Sequence, residues 1–589
     1  MNARRSRSSV ALALALALAG CGLPADEAYF GKLTPPTENI LRIANGAEPR
    51  SLDPHRSAGV PEGKIFKNTC EGLAEYDPRT LAPLPALALD WQTGDGAKSW
   101  VFRLRRDGRF SDGQKITAHD FVYSWRRIID PNTASPYASL LYYVKNGQAI
   151  AEGRFRLAAA QGFVPDPKDP THPLALGEDD LKDPAVAKLA AGRARVPYTP
   201  ADLGITALDD YTVRVEMEGP TAFFPKMTPH YAFCVVPRQA IEKWGDRWSE
   251  PAHTVASGAF RVVEYTPYSQ VVLAPNPHYW DRARVKLDRV YLLPVQETAQ
   301  NANLYRAGEV DVITSGNLPP TLVRELRRYR DYQTGTWFNT YYYDLNVRRK
   351  PFTDLRVRRA LNLAVDKRAI AEKFLGRGEQ PATTFVPPGV AGYVPPAGPG
   401  YDPAAARRLL AEAGFPGGRG FPKITLYYNT QEAHRTVAEA VQRMWKQELG
   451  ITVELQNEEW QTFQARRERR DYDIARDAWI GDYVDPSTFL ALMAEDTLNN
   501  HPGWVDPRYS ELLKRANAEA DDTKRNALLR EAEAYMLDQM PIVPVYFYSL
   551  FYLKKPWVDG WYPNLLDEHP FKFVRIDRSW RSPTVARTP

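Results

Sequence analysis

The sequence predicts an α/β protein of more than one domain in which some strands run parallel. The chain has 589 residues, whereas single hydrophobic cores stop growing at roughly 250–300 residues. With 44% hydrophobic and 25% charged residues, its composition is that of a globular protein. Between residues 424 and 480, strand and helix patterns alternate. A strand–helix–strand order is typical of parallel strands joined by a right-handed crossover.

The first half of the chain begins with strand and helix signals and then loses them. Residues 100–104 alternate as in a strand, and Ser-Asp-Gly-Gln at 111–114 predicts a turn. Thr117 and Asp120 have the spacing of an N-cap and its N3 partner, so we expect a helix to begin there. Residues 152–200 lack strong periodicity and predict an insertion or a long surface excursion, after which a strand is expected at 211–217.

The second half predicts alternating helices and strands. Thr353 is expected to cap a helix whose apolar stripe reaches Ile370, and Asp402-Pro403 is expected to begin another that ends at Gly414. The patterns that follow predict, in order, a strand at 424–428, a helix at 432–449, and strands at 451–455 and 472–480.

The N-terminus has the features of an export signal. Three arginines precede an apolar run at 10–19, and small residues follow, so residues 1–20 are predicted to be a signal peptide. Leu-Ala-Gly-Cys at 18–21 also resembles the bacterial lipobox, in which the cysteine is lipidated. Ordinary cleavage with an incidental Cys21 is the alternative. We expect a lipidated Cys21, a tether at 21–38, and a periplasmic or extracytoplasmic protein anchored to the membrane.

Charge and cysteines restrict the partners. Removing the three signal-peptide arginines from the formal net charge of +5 leaves +2, and no basic stripe with interleaved aromatic residues is present. Nucleic acid is therefore not an expected partner. Cys70 and Cys234 remain, and an oxidising compartment permits them to pair. Sequence gives no geometry for the pair, and we expect two buried free thiols.

Signatures of several enzyme classes are absent from the sequence. It contains no Walker loop, no GxGxxG after a strand, no HExxH, no EF-hand loop and no GxSxG elbow. The nine histidines are scattered and have no CxxC partners, so neither a structural metal nor a cofactor is expected. This pattern favours a protein that is not an enzyme.

A candidate site follows the strand that ends near Ile480, because ligands of open α/β sheets bind beyond the carboxyl ends of strands. Trp479 precedes that edge and Asp482 follows it. An aromatic wall beside a carboxylate suits a ligand with a cationic amine and an apolar body. The alternative is that Asp482 caps a turn or the helix near Ser487, and the spacing alone favours neither interpretation.

Other side chains of the same region are less specific. Trp460, Arg467 and Arg476 add an aromatic ring and cations, although a solvated basic face explains the arginines equally well. His434 lies on a predicted helix, where an ordinary surface or core histidine is the simpler interpretation.

Taken together, several motifs resemble the family 5 extracellular solute-binding proteins of bacteria, and the resemblance covers about residues 40 to 577. The motifs lie at 51–55, 59–62, 100–105, 110–113, 117–125, 130–139, 276–281, 341–343, 352–358 and 542–546.

The resemblance implies a periplasmic-binding-protein-like α/β fold of type II, with three domains, mixed sheets and two lobes that close about a hinge. Domain I would comprise residues 39–70, 237–338 and 548–589, and domain II residues 71–236 with the insertion. Domain III, residues 339–547, would close on domain I about two crossover strands.

The resemblance also implies roles for individual residues. In the family, the aspartate of a Trp-x-x-Asp-Tyr stretch binds the α-amino group of a peptide. Asp482 matches this aspartate. Trp460 and Trp479 match aromatic pocket walls, and Arg467, Arg476 and His434 match positions that meet the ligand carboxylate. The remaining expected lining residues are Val60, Tyr137, Trp337, Asp344, Ile480 and Tyr548.

Some positions depart from the family pattern. The cysteines of a family disulfide fall at Asn339 and Ile480, and Ser315 and Trp337 replace pocket tyrosines. Asp344 stands in place of a glutamate. These departures leave the peptide length and the side-chain preference open.

The implied function is capture of short peptides, of about two to five residues, for the transmembrane subunits of an ABC permease, by a monomeric receptor. One alternative is a binding protein for another ligand, namely dipeptides, murein peptides, oligosaccharides or a metal chelate. Two further alternatives are other classes of protein: an exported peptidase, and a surface chaperone or sensor.

Overall fold

The computed structural model describes residues 29–57, 59–167, 170, 172–495 and 499–581 and, at 320, 432, 460 and 461, the backbone alone. The predicted signal peptide, Cys21 and most of the tether therefore lie outside the described residues. The described helices contain no segment that is both long enough and apolar enough to cross a membrane.

The strands in chain order are β1 Ile40–Ala44, β2 Ala74–Tyr76, β3 Pro83–Pro85, β4 Ala88–Gly94, β5 Ser99–Leu104, β6 Phe155–Leu157, β7 Arg195–Pro197, β8 Ile205–Asp209, β9 Thr212–Glu216, β10 Phe260–Thr266, β11 Gln270–Pro275, β12 Arg289–Leu293, β13 Val312–Ile313, β14 Tyr332–Leu345, β15 Gln380–Pro381, β16 Ile424–Asn429, β17 Val453–Glu458, β18 Ile474–Ile480, β19 Ile542–Lys554, β20 Val558–Asp559 and β21 Arg575–Ile576.

The α-helices are α1 Val60–Thr69, α2 Ala118–Ile129, α3 Gly147–Ala151, α4 Pro184–Ala190, α5 Phe224–Met227, α6 Arg238–Trp244, α7 Thr298–Ala307, α8 Pro320–Leu326, α9 Leu355–Leu363, α10 Lys367–Ala369, α11 Pro403–Glu412, α12 Glu432–Leu449, α13 Trp460–Glu468, α14 Ser487–Leu490, α15 Pro507–Ala518 and α16 Asp522–Gln539. Short 3₁₀ turns and one π-helical segment, Ile370–Leu375, connect them.

The largest sheet is mixed and extends across much of the molecule. Its order is β10-β11-β12-β1-β13-β19-β14-β18-β16-β17, and β15 pairs with β19. The long strands β14 and β19 pair antiparallel at its centre, and their register shifts between Thr336 and Thr340. One side of the sheet therefore joins the other through these two strands. The proposed domain boundaries at 338/339 and 547/548 fall at the shift, and they stay a prediction.

Separate hydrophobic cores lie on the two sides of that junction. Leu41, Phe260 and Val290 belong to one core, whereas Leu361, Val441 and Trp445 belong to another. A third core forms where α2 packs on the antiparallel sheet β4-β5-β9-β8. Several buried cores are what a chain of this length requires.

The strand–helix–strand prediction is confirmed. β16 pairs parallel with both β17 and β18, and α12 occupies residues 432–449 as expected. The capping box of α2 is also confirmed, since the Asp120 carboxylate accepts hydrogen bonds from the backbone and the hydroxyl of Thr117. The fold class, mixed α/β, is likewise confirmed.

The predicted bounds of one helix need correction. The cap of α9 is Asp354 rather than Thr353, since its carboxylate accepts from the backbone N–H of Arg356 at 2.8 Å. The helix ends at Leu363, whereas the predicted apolar stripe extends to Ile370. The insertion contains ordered structure of its own, because β6 and β7 pair antiparallel and α4 packs nearby on a small apolar core.

The prediction of two free thiols is wrong, because Cys70 and Cys234 form a disulfide with their Cα atoms 5.7 Å apart. Cys70 follows α1, and Cys234 ends a 3₁₀ turn far along the chain. Folding brings the two segments together, and a sequence separation of 164 residues gave no indication of it.

Candidate functional site

A large cleft opens beside the junction of β14, β18 and β19. Its volume is about 1,400 Å³, larger than the roughly 300–1,000 Å³ typical of small-molecule pockets. The N-terminus of α1 and the loop before it form part of the wall. The end of β18, the start of α12 and the second half of β19 form other parts of the wall. The cleft thus draws residues from segments that are distant in sequence.

Asp482 lies at this wall, in the loop that follows β18. Gly481 before it donates its backbone N–H to Phe338 O at 2.9 Å, and a Cβ added at Gly481 would lie 2.3 Å from the Phe338 ring. A glycine is therefore needed where the loop leaves β18 beside Phe338 of β14. The backbone N–H of Asp482 donates to the Thr488 hydroxyl at 3.1 Å, which fixes the loop on α14.

The Asp482 carboxylate faces the cleft. Desolvation by the cleft walls raises its pKa to about 6. The helix that begins at Ser487 has Pro486 at its N-cap position and no side-chain cap, and its Ser487 backbone N–H donates to Asp485 at 3.0 Å. The sequence alternative, a capping role for Asp482 at that helix, is therefore wrong.

The other charges that line the cleft are paired. Arg377 contacts Glu379 at 2.7 Å, Lys64 lies 3.6 Å from Asp567, and Lys67 pairs with Glu568. These are the three lysines and arginines among the described lining residues. Of the four carboxylates in that lining, Asp482 alone has no cation within salt-bridge distance in the described part of the chain. The cleft therefore presents one uncompensated negative charge.

Arg467 and Arg476 lie behind the wall rather than in the lining of the cleft. Arg467, on α13, is buried and pairs with Asp477 of β18. Arg476 donates to the Tyr548 hydroxyl at 2.7 Å and lies 4.8 Å from the centre of the Tyr341 ring. The Tyr548 side chain does line the cleft. Arg476 is therefore connected to the cleft only indirectly, through its hydrogen bond to the Tyr548 hydroxyl.

Asp477 is a buried carboxylate that the sequence analysis missed. It accepts from the His501 ring at 2.9 Å and from the Ala478 backbone N–H at 2.7 Å, in addition to Arg467. Burial raises its pKa, but the Arg467 charge and the His501 hydrogen bond outweigh burial and hold that pKa well below its ordinary range. The sequence did contain a signal for this residue, because an aspartate within an otherwise apolar strand needs hydrogen-bond or ionic partners when the strand is buried.

Asp344 lies beside this pair and does not line the cleft. Its side chain is wholly buried and neither carboxylate oxygen has a hydrogen-bond partner. Burial, together with the Asp477 charge, raises its pKa well above the ordinary value. Asp344, Asp477 and His501 bring three groups of metal-ligating type together, and the Arg467 guanidinium already occupies one oxygen of Asp477.

The aromatic and histidine side chains that were predicted mostly reach the cleft. His434 lines it with Nδ1 unpartnered, and burial followed by the Arg476 charge lowers its pKa to about 3. The other predicted residues in the lining are Val60, Tyr137, Trp337, Trp479, Ile480 and Tyr548, with Ser315. Trp460 begins α13, and its side chain lies outside the described residues.

Comparison with known proteins identifies the family. Residues 82–500 match the profile of the bacterial extracellular solute-binding proteins, family 5 Middle. The periplasmic oligopeptide-binding protein OppA of Salmonella typhimurium is 37% identical over 525 residues, which are 88% of this chain and 88% of OppA.

Two solved structures share the fold but fit to different degrees. The periplasmic murein tripeptide-binding protein MppA in its unliganded open form superposes with a TM-score of 0.80 at 33% identity, covering 92% of this chain and 98% of MppA. Haemophilus influenzae OppA in complex with the peptide RPPGFSPFR gives 0.63 at 30% identity, covering 92% of this chain and all of that one. The sequence match and the shared fold agree, and the chain belongs to the family 5 bacterial extracellular solute-binding proteins.

Proposed function

We propose that this chain is the receptor of a peptide ABC importer, which captures short peptides outside the cytoplasm and delivers them to the membrane permease. The observation that carries the proposal is the single uncompensated carboxylate, Asp482, in a cleft whose other charges are paired. A peptide ammonium group supplies the missing positive charge. The related OppA proteins are oligopeptide-binding by name, which supports the same ligand class.

The binding step rests on charge and on backbone pairing. At about 4 Å, and at an effective dielectric near 20, an ammonium group and Asp482 attract by roughly 4 kcal/mol before desolvation is subtracted. Trp479 lines the same cleft, and an aromatic ring there can attract the same cation. Peptide N–H and C=O groups would pair with the cleft in strand fashion, which makes affinity largely independent of sequence.

Closure of the lobes would follow binding, because a ligand shifts the protein toward the state to which it binds more tightly. The better fit to the unliganded open form than to a peptide complex supports an open cleft here. The register shift between Thr336 and Thr340 is where β14 and β19 would bend.

The proposal includes features that concern the whole receptor. These are the three-domain division given above, a lipid anchor at Cys21, a periplasmic or extracytoplasmic location, a monomeric state, and ligands of about two to five residues. It also includes the absence of catalysis, for which the family supplies support, since its members are solute-binding proteins.

Calorimetry with trialanine tests the central step. We expect Asp482→Asn to weaken binding by about 2–5 kcal/mol, because the ammonium group is left in the cleft without its partner. N-acetyl-trialanine should bind the unchanged protein more weakly than trialanine does, by a comparable free energy. Asp95→Asn is the matched control, since Asp95 is exposed and outside the lining, and it should bind as before. Equal affinity of the Asp482→Asn variant and the unchanged protein would refute the role of Asp482.

A murein peptide is the second candidate ligand, and the fit to MppA favours it. Native mass spectrometry of the purified protein distinguishes the two, because retained murein peptides and ordinary peptides differ in mass. Incubating the same peptides with the protein and looking for cleavage products tests the peptidase alternative.

A further inference from the structure

The first described residues are fixed on one side of the molecule. The Asp331 carboxylate accepts the backbone N–H of Phe30 at 3.0 Å. The Lys555 ammonium group donates to the backbone carbonyls of Phe30 and Lys32, at 3.1 and 3.0 Å. The backbone N–H of Lys32 in turn donates to Arg306 O at 2.9 Å. The N-terminal segment therefore joins the fold at a defined place, beside the end of α7.

The surface around this place is strongly basic. The Phe30 and Tyr329 rings have their centres 5.4 Å apart, so the segment that follows α8 borders it as well. Residues 29–32, 306–309 and 324–330 contain six exposed cations, namely Lys32, Arg306, Arg324, Arg327, Arg328 and Arg330, which we call the basic face. The same segments contain two exposed carboxylates, those of Glu309 and Glu325. Their net charge is therefore +4.

This concentration of positive charge is local. Without the three arginines of the predicted signal peptide, the whole chain has a formal net charge of +2, so the rest of the molecule is slightly negative. Arg324 and Arg327 donate to backbone carbonyls, Leu375 O at 3.5 Å and Gly376 O at 3.3 Å. A carbonyl oxygen carries no net charge, so these contacts leave the positive charge of both guanidinium groups uncancelled.

The composition of the basic face indicates its partner. Among the described residues of these segments, no large apolar side chain is exposed. The face therefore suits an extended layer of negative charge rather than an apolar surface. A layer of anionic lipid headgroups is such a partner, and each lysine or arginine near it strengthens binding by about fivefold.

The proposed lipid anchor places this face within reach of a membrane. Cys21 precedes Tyr29, the first described residue, by eight positions. Because an extended chain spans at most about 3.6 Å per residue, the basic face lies within about 30 Å of the anchor. A short linker of this kind gives an effective concentration on the order of millimolar, at which a weak electrostatic contact forms.

We infer that the basic face docks on anionic lipid headgroups beside the anchor and holds the receptor in one orientation on the membrane. The inference rests on the proposed function for the location of the receptor and for its anchor. Asn317 lines the cleft, and α8 begins three residues later at Pro320. Docking therefore turns this rim of the cleft toward the membrane, where a permease receives the ligand.

Arginine labelling on vesicles tests the inference with the intact protein. Phenylglyoxal modifies exposed guanidinium groups, and mass spectrometry gives the rate at each residue. On vesicles of phosphatidylglycerol and phosphatidylcholine, modification of Arg306 and Arg327 should be at least about fivefold slower than on pure phosphatidylcholine. Arg106 and Arg193 are exposed on other segments and should react equally on both. About 1 M salt should abolish the difference, because the screening length falls from about 10 Å to about 3 Å.

A double variant tests the same face from the protein side. Arg324→Gln with Arg327→Gln removes two charges whose contacts are with backbone carbonyls. Docking should weaken by about thirtyfold, and Arg306 should lose its protection from the reagent. Arg106→Gln with Arg193→Gln is the matched control, since it removes the same charge elsewhere and should leave Arg306 protected. Equal loss of protection in the two variants would overturn the inference, because it would show attraction without a preferred face.

The outcomes separate the inference from the proposed function. Equal labelling of Arg306 and Arg327 on the two kinds of vesicle would overturn the inference and leave the basic face to an acidic protein surface. Trialanine binding in the cleft would be unaffected by that result. Protection of Arg306 by phosphatidylglycerol, combined with no binding of trialanine, would refute the peptide-binding function and support docking on lipid.

Discussion

Asp477 and Asp482 are the same residue type in one strand and the loop that follows it, yet their surroundings are opposite. Asp477 is buried and has three donors, which hold its pKa below the ordinary range. Asp482 faces an open cleft, pairs with no described cation, and has a pKa raised to about 6 by desolvation. One carboxylate is satisfied by the fold, whereas the other has no cation partner among the described residues.

The comparison teaches that a charge is available for binding only when the protein has not already balanced it. The family resemblance predicts that both Arg467 and Asp482 contact peptide ends. The side chain of Asp477 separates their roles, because it pairs with one of them. Residue type at a matched position therefore does not establish its function in this chain.

The largest expected effect is on stability, in Asp477→Asn. Removing one partner of a buried ion pair leaves the Arg467 charge uncompensated, which typically costs about 3–5 kcal/mol in the free energy of unfolding. Urea denaturation followed by circular dichroism measures it. Asp482→Asn is the matched control and should not lower the same free energy, since it breaks no ion pair and removes a carboxylate whose ionised form is desolvated in the cleft. Similar values for the two variants would remove the distinction drawn between these aspartates.

Much of the fold could be predicted from the sequence because its signals are local. The alternation in β16 and β17, the cap of α2 and the bounds of α12 depend on neighbouring residues, and these predictions are confirmed. The disulfide could not be predicted, because pairing Cys70 with Cys234 depends on how distant segments pack. The predicted cap of α9 was wrong by one residue, because Thr353 and Asp354 both carry side-chain oxygens that can cap a helix.

The site was predictable in part for the same reason. Trp479 and Asp482 flank the end of a strand, and that position alone suggested a ligand edge. The partners of Arg467 were not predictable, because Asp477 reaches it from a different element and His501 comes from a loop further along the chain. Asp344 was expected in the lining, but it lies on the inner part of β14, where the sheet covers it.

The second expected effect is a dependence of affinity on pH. The raised pKa of Asp482 means that its carboxyl group takes up a proton as the pH falls through about 6. An ammonium ligand binds the ionised form, so affinity should be full above pH 6 and fall by about tenfold per pH unit below it. Calorimetry with trialanine at several pH values between 5 and 7 measures this.

The two histidines that line the described cleft do not titrate between pH 5 and 7. His230 and His434 have pKa values lowered to about 3 by burial, with nearby positive charge adding to the effect, and stay neutral throughout. Burial lowers the pKa of Lys67 to about 7, so its titration reaches the upper end. Asp482→Asn isolates the aspartate, because the variant should lose the decline below pH 6. A decline of equal slope in the variant would assign it to another group.

The smallest expected effect concerns the residue that holds Asp482 in place. The Thr488 hydroxyl accepts the Asp482 backbone N–H, and Thr488→Val removes that acceptor while keeping the shape of the side chain. Loss of one such hydrogen bond costs about 0.5–1.5 kcal/mol, and we expect peptide affinity to fall by about that amount, because the carboxylate is less well positioned. The pH dependence should persist, since the carboxylate itself remains. A Thr488→Ser variant restores the hydroxyl and should recover the affinity. If Thr488→Val binds trialanine as tightly as the unchanged protein, the loop is held by the Gly481 contact with Phe338 instead.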